Sequence, residues 1–157
     1  MPPPLTRLLL GFLAGALSVL TFHQGMWEFF HLLNLPGLGM PAPYVLRPVP
    51  PFGIPQVASA AFWGGLYGAA FGYLSPRFTW PLWLCGLATG IVAVLVGWFI
   101  VAPIKGNPVA GGWAPFNWIR PVCINGFWGI GVGVIYGLLR GASSKQAGGL
   151  TAETLRR

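Results

Sequence analysis

Polar and ionisable side chains recur along one face of the first apolar segment of this 157-residue chain. Steps of three and four residues place them on the same side of a helix. They are Ser18, Thr21, Gln24, Glu28 and His31. Polar groups at membrane depth usually face the interior of a helix bundle or water, because lipid offers no hydrogen-bond partner. This stripe is therefore the part of the sequence where a path for protons or cations could run.

Glu28 is the sharpest candidate within the stripe, because the only other acidic residue, Glu153, lies near the C-terminus. Glu28 could bind a proton or a cation together with His31, Gln24 or an arginine from a loop. Alternatively, and more simply, it forms an ion pair that fixes the first helix to a loop. The basic candidates for that pair are Arg120, Arg47 and Lys105. The predicted polar site comprises His23, Gln24, Glu28, His31 and Arg120.

His23 lies nearer the middle of its segment and could relay protons or ligate haem iron. His23 and His31 are about 12 Å apart along a helix, so the two cannot ligate one iron from the same helix. No other histidine exists, so a haem would need a second protomer. The simpler interpretation is a histidine hydrogen-bonded to a neighbouring helix. We predict no cofactor and no metal site, because Cys85 and Cys123 are isolated and lack the spacing of zinc ligands.

The composition indicates a protein that lipid must cover. Hydrophobic residues make up 55% of the chain and charged residues only 7%, whereas soluble domains carry about 25% charged residues. The net charge of +7 does not indicate nucleic-acid binding, because the basic residues stand singly at the ends of apolar runs. Membrane topology places basic residues there. The lipid bilayer is therefore the expected partner.

Four segments are long enough to span a bilayer, which needs about 20 mostly apolar residues. They cover about 8–33, 56–74, 80–102 and 122–139. We expect an all-α membrane protein with a four-transmembrane-helix bundle in a single domain, 1–140. The first segment lacks a small-residue cleavage site and is predicted to stay uncleaved. Residues 141–157 form a small polar tail, which is predicted to be mobile.

The basic residues predict that both termini lie in the cytoplasm. In that orientation six of them fall inside and three outside, as the positive-inside rule favours. The inner set is Arg7, Arg77, Arg140, Lys145, Arg156 and Arg157, and the outer set is Arg47, Lys105 and Arg120. The chain has the general look of small four-span proteins of the bacterial inner membrane. This general resemblance predicts a location in the inner membrane but does not predict an activity.

Residues 62–74 return without gaps as residues 127–139, with Phe, Trp, three glycines and the last Leu in common. In each copy the glycines recur every four residues and leave a strip of bare backbone on one helix face. These glycine ladders are Gly64, Gly68 and Gly72, and Gly129, Gly133 and Gly137. We expect the second helix to pack on the fourth through them. The alternative is that one ladder joins protomers.

A weaker match lays Gly11 and Gly15 of the first helix on Gly86 and Gly90 of the third. Together the matches predict a tandem duplication of a helical hairpin. Each hairpin would enter the membrane from the same side, so the halves would be related by an axis along the membrane normal. The alternative explanation is shared composition, since Gly, Phe and Leu are common in membrane helices.

One tryptophan stands at a similar depth in each predicted span. They are Trp27, Trp63, Trp98 and Trp128. These indoles could line a pocket for an apolar ligand such as a quinone or a lipid tail. Packing near the membrane interface, where tryptophan is enriched, is the simpler explanation.

No segment resembles a phosphate-binding loop, a nucleophile–base pair or a two-carboxylate site, so we predict no enzymatic activity. The leading functional hypothesis is a structural or interaction role. The glycine-rich faces would pack the protein with itself, as a homo-oligomer, or with a larger membrane complex. The first alternative is a small transporter or channel that uses the polar stripe. The second alternative is a protein that binds a quinone or a lipid.

Overall fold

The computed structural model describes the backbone of residues 2–154 and the side chains of residues 2–143. In this part of the chain four long helices account for most residues. They are α1 (Pro4–Leu33), α2 (Gln56–Leu74), α3 (Leu82–Ile104) and α4 (Pro115–Thr154). Strands β1 (Pro48–Val49) and β2 (Ile54–Pro55) form a small antiparallel hairpin between α1 and α2. The chain is therefore all-α apart from this hairpin.

Short turns lie in two of the connections. Ser75–Arg77 is a 3-10 turn that follows α2 directly and leads into the tight turn before α3. Val109–Trp113, between α3 and α4, is a left-handed turn with positive φ at Ala110, Gly111 and Gly112. We call the end of the bundle at Ser75–Arg77 the turn end and the opposite end, which carries the two long connections, the loop end.

Three of the helices in the described chain are long and apolar enough to cross a membrane. They are α1, α3 and the Pro115–Ser143 part of α4. Helix α2 has 19 residues and no charge, but its four glycines and its Trp and Tyr residues lower its mean hydropathy. Helix α4 extends beyond the predicted span at both ends. It contains Pro121 and continues through the segment where the sequence predicts a mobile tail, as far as Thr154.

The two middle positions of the bundle belong to α1 and α4. Helix α2 packs on α1, α3 packs on α4, and α1 and α4 pack on each other. Helices α2 and α3 are joined by the short turn but make few contacts with each other. The order across the bundle is therefore α2, α1, α4, α3, which leaves a gap between the outer pair.

Glycines bring the backbones of α1 and α2 into direct contact. A methyl group on Gly11 would overlap the carbonyl oxygen of Gly68, and one on Gly15 would overlap that of Gly64. The expectation that the ladder of α2 packs on the ladder of α4 is wrong. The bare strip of α2 instead meets a second bare strip in α1, the helix that precedes it in the chain.

The second hairpin repeats this contact between α3 and α4. A methyl group on Gly86 would overlap the carbonyl oxygen of Gly129, and one on Gly90 would overlap that of Asn125. The two seams differ in register by one helical turn. Gly72 is pressed against the carbonyl of Arg7 in the first seam. At its sequence counterpart Gly137, an added methyl group would have only the Leu82 Cδ1 atom nearby, at 3.5 Å.

Two hydrogen bonds join α1 to α4 in the middle of the bundle. The Ser18 hydroxyl donates to the carbonyl of Trp128 at 2.6 Å, and the Trp128 indole N–H donates to the carbonyl of Gly15 at 3.0 Å. At the turn end the buried hydroxyl of Tyr136 is bonded to the hydroxyl of Ser75 at 2.9 Å. Such polar pairs fix helix positions where no water is available to replace them.

We predict that Gly133→Ala destabilises the protein whereas Gly137→Ala does not. The added methyl at 133 would overlap the backbone of Leu82 and Trp83, which cannot move aside without separating α3 from α4. Overpacking of this kind costs about 1–3 kcal/mol. At 137 there is room, and replacing a helical glycine by alanine contributes up to about 1 kcal/mol of stability.

The measurement is thermal unfolding of both variants in one detergent, followed by circular dichroism. We expect a lower apparent Tm for Gly133→Ala and an unchanged or higher one for Gly137→Ala. Equal values for the two variants would contradict the close backbone contact at Gly133.

Candidate functional site

A cavity of about 430 Å³ occupies the gap between α2 and α3. Both helices contribute small, apolar and aromatic residues to its walls. From α2 these are Ala60, Trp63, Gly64 and Tyr67, and from α3 they are Ala93, Val96, Gly97 and Val101. Lys105, directly after α3, also lines it. On α2 the residues precede its last two turns, and on α3 they lie in its second half. The cavity therefore lies toward the loop end of the bundle.

The two middle helices close the back of this cavity. Helix α1 contributes Val19 and His23, and α4 contributes Asn125 and Trp128. The Trp128 indole N–H is already bonded to the carbonyl of Gly15. Its ring, which also packs edge-on against Tyr67 with centroids 6.3 Å apart, therefore adds apolar surface to the wall.

Two π-helical turns face the cavity, one in each of two helices. They cover Val19–His23 in α1 and Gly97–Val101 in α3. A π turn widens the helix by one extra residue, and such turns are frequent at functional sites. Each turn contributes its first and last residue to the lining. Pro103 follows the second turn and lacks the N–H that would bond to the Phe99 carbonyl inside it. No proline or charge marks the first turn, so periodicity arguments could not have located that one.

A second, smaller cavity of about 140 Å³ lies beside the first, closer to the loop between α1 and α2. Its polar lining comes from His23, Gln24, Trp27 and Gln56. It shares His23 and Ala60 with the main cavity. His23 therefore stands between a mainly apolar chamber and a small polar one.

Gln24 holds the imidazole of His23. The Gln24 side-chain nitrogen lies 3.3 Å from His23 Nδ1. An amide nitrogen can only donate, so Nδ1 accepts and the proton of the neutral ring is on Nε2. The predicted hydrogen bond from His23 to a neighbouring helix is not formed, because its partner is the next residue of the same helix. Within the described chain, no protein group accepts a bond from Nε2–H.

Two residues of the polar stripe, Gln24 and His31, hold the loop after α1. Gln24 is buried, and its side-chain oxygen accepts a hydrogen bond from the Tyr44 backbone N–H at 2.7 Å. Three further bonds join α1 to the same loop. They are Trp27 Nε1–H to the Pro41 carbonyl, His31 Nδ1–H to the Met40 carbonyl, and the Tyr44 hydroxyl to the Leu20 carbonyl, at 2.8, 2.8 and 2.9 Å. The loop-end part of the stripe, Gln24 and His31, therefore positions a loop together with Trp27.

Glu28 and Arg120 are not brought together. In the part of the chain that the structure describes, Glu28 makes neither a hydrogen bond nor an ion pair, so the expected pairing with Arg120, Arg47 or Lys105 is not formed. The Arg120 guanidinium instead donates to the Gly39 carbonyl and to the Asn117 side-chain oxygen, both at 3.4 Å. The predicted polar site thus divides into loop contacts, the His23–Gln24 pair and an unpaired Glu28.

Three of the four tryptophans for which a pocket was the alternative to interfacial packing border a cavity. Trp63 and Trp128 line the main one and Trp27 lines the smaller one. Trp98 packs instead on Trp118, with ring centroids 5.3 Å apart. Spacing along the chain indicates similar depths for the four indoles but does not show which side of each helix faces the gap.

Among the described residues, no three His, Cys, Asp or Glu side chains come together. Both cysteines are free thiols. The chain matches no known protein family, no curated protein and no solved structure. The functional argument therefore rests on the geometry of the cavities and their lining.

We predict that Gln24→Leu loosens the loop over α1 whereas Glu28→Gln does not. The first change removes the acceptor of the Tyr44 N–H and the donor to His23. A lost hydrogen bond of about 1 kcal/mol corresponds to roughly fivefold faster opening-limited exchange. The second change alters a side chain that has no hydrogen-bond partner in the described structure.

Hydrogen–deuterium exchange with mass spectrometry on peptides covering residues 40–47 measures the effect. The expected pattern is faster exchange in Gln24→Leu and wild-type exchange in Glu28→Gln. Identical exchange in both variants would show that Gln24 does not hold the loop.

Proposed function

We propose that this protein binds an apolar ligand, such as a quinone or a lipid tail, in the cavity between α2 and α3. The observation that carries this proposal is the lining, in which apolar and aromatic side chains dominate and a few polar groups stand at the back and at the loop end. Ligand sites of about 300–1,000 Å³ typically have this character. The volume of about 430 Å³ lies in the lower part of that range.

The proposal includes the placement of the chain in a membrane. All four helices would cross the bilayer as a bundle, with α2 included because it carries no charge and packs closely along α1. The distribution of basic residues supports a loop end outside and both termini in the cytoplasm, in a bacterial inner membrane. The glycine contact that recurs in both hairpins supports their origin by duplication.

The position of the cavity supports entry from the bilayer. Helices α2 and α3 make few contacts with each other, and their wall residues lie away from the turn that joins them. Trp63, on the edge of the opening, keeps 58% of its surface exposed. An apolar ligand dissolved in the membrane would therefore reach the cavity sideways, without crossing water.

Gly97→Leu is expected to abolish ligand binding while the protein remains folded. A Cβ added at Gly97 meets no atom within 4 Å, so a leucine there has room to occupy part of the cavity that this residue lines. Gly25→Leu is the matched control, because Gly25 is also helical and open but does not line either cavity. Leucine is favoured over glycine in a helix at either position.

The measurement uses a long-chain fatty alcohol that carries a diazirine in its chain, added to vesicles of phosphatidylcholine containing the protein. After illumination, peptide mass spectrometry should find saturable labelling at Trp63 and Tyr67 in wild type and in Gly25→Leu, and none above background in Gly97→Leu. Labelling that is equal in all three proteins would overturn the proposed function.

A second proposal retains an interaction role, because large apolar side chains protrude at the loop end. Phe52 is 84% exposed, Ile104 80% and Leu46 70%. The glycine ladders give this role less support than the sequence suggested, because their backbones are largely covered within the monomer. Native electrophoresis in mild detergent tests it. A wild-type complex should be lost in Phe52→Ser, and a wild-type protein that migrates as a monomer would refute the proposal.

The transport alternative receives no comparable support. Four of the five stripe residues, Ser18, Thr21, Gln24 and His31, are bonded to backbone groups. Groups held in this way fix the helix and the loop, and they are not arranged around a continuous path.

A further inference from the structure

The charge in the lining of the main cavity is confined to one place. Among the described residues that surround it, only Lys105 carries a full charge, and no acidic residue is present. Lys105 is exposed where α3 ends, at the loop end of the bundle. It makes no ion pair within the described chain. The cavity is therefore uncharged along its length and positive at its mouth.

The apolar part of α3 is continuous with this charge. Ala93, Gly97, Val101 and Lys105 follow one another at four-residue steps, and all four line the cavity. Gly97–Val101 is a π turn, so the spacing alone does not place these residues on one face, but the cavity that all four border does. At the α-helical rise, a stretch of about twelve residues makes this face at most about 18 Å long. The shape suits an extended chain better than a compact ring system.

We propose that the ligand is a single-chain amphiphile whose anionic head group binds Lys105 and whose chain lies along the Ala93–Gly97–Val101 face of α3. This inference rests on the proposed function and names the ligand class for the same cavity. The head would be a carboxylate or a phosphate, either of which accepts charge-assisted hydrogen bonds from an ammonium group. The volume suits one chain, since it lies near the lower limit of ligand pockets of about 300–1,000 Å³.

The surroundings favour an anionic head over a neutral one. The other two basic residues of the loop end, Arg47 and Arg120, add positive potential there, and Glu28 is the sole acidic residue outside the C-terminal segment. A lysine at this position can lay its apolar stem along the cavity wall and keep its ammonium group at the polar boundary. The hydrocarbon chain of an amphiphile would then contact the apolar stem of the lysine, and its anionic head group would contact the ammonium group.

Three photoreactive probes with one common diazirine chain test the inference: a fatty alcohol, its phosphate monoester and the corresponding carboxylate. Each is titrated into phosphatidylcholine vesicles that contain the protein, and the concentration for half-maximal labelling of Trp63 and Tyr67 is measured. In wild type the concentration for half-maximal labelling should be at least about threefold lower for the anionic probes than for the alcohol, as expected for a partly screened charge pair. Higher salt should reduce the difference.

Variants assign the effect to one ammonium group. Lys105→Gln should remove the preference for anionic probes and leave labelling by the alcohol unchanged, while Lys105→Arg should retain the preference. Arg47→Gln is the matched control, since Arg47 is an exposed loop-end cation that does not line the cavity. A preference that survives in Lys105→Gln, or equal labelling by all three probes in wild type, would overturn this inference.

These outcomes are separate from the test of the proposed function. If the alcohol still labels the cavity and Gly97→Leu blocks it, the cavity binds an apolar chain even where the head-group inference fails. If Gly97→Leu changes nothing for any probe, both proposals fail together.

Discussion

Direct contact between glycine backbones is the constraint on which this structure depends. At Gly11 and Gly15 the carbonyls of α2 occupy the space where side chains would stand, and at Gly86 and Gly90 the carbonyls of α4 do the same. In the proposed membrane placement the hydrophobic effect does not drive helices together, so close van der Waals contact between bare backbones would supply much of the attraction. Any side chain on these strips would separate the helices of a hairpin.

The gap between α2 and α3 follows from where that contact is made. Within each hairpin the two glycine strips pack on each other. The two hairpins then meet through α1 and α4, where Ser18 and Trp128 form hydrogen bonds between the helices. Helices α2 and α3 are left on the outside, joined only at the turn end. The cavity is thus a consequence of the packing order, and the π turns at Val19–His23 and Gly97–Val101 shape it further.

The helices could be predicted from the sequence because long apolar runs with few charges usually form helices. The helix on which each glycine ladder packs could not be predicted, because a strip of glycines indicates close approach without indicating which helix approaches. Only the pairing in space shows that Gly64 and Gly68 meet Gly15 and Gly11. Periodicity predicts that the stripe of α1 shares one face, but the π turn Val19–His23 interrupts the α-helical spacing, and Thr21 is exposed while Ser18 and Gln24 are buried. The role of the stripe at the loop end depends on Tyr44 and Met40, which are loop residues without periodicity.

The stripe and the cavity meet in the side chain of Gln24. Its oxygen accepts a bond from the loop at Tyr44 and its nitrogen donates to His23, which lines both cavities. A carboxamide has both functions in one plane, so docking of the loop fixes the orientation in which the amide can hold the imidazole. The loop at the end of the bundle is thereby connected to the cavity wall by a single rigid group. The asymmetry between α1 and α3 has a physical meaning in this arrangement, because α1 anchors the loop while α3 supplies the apolar face of the site.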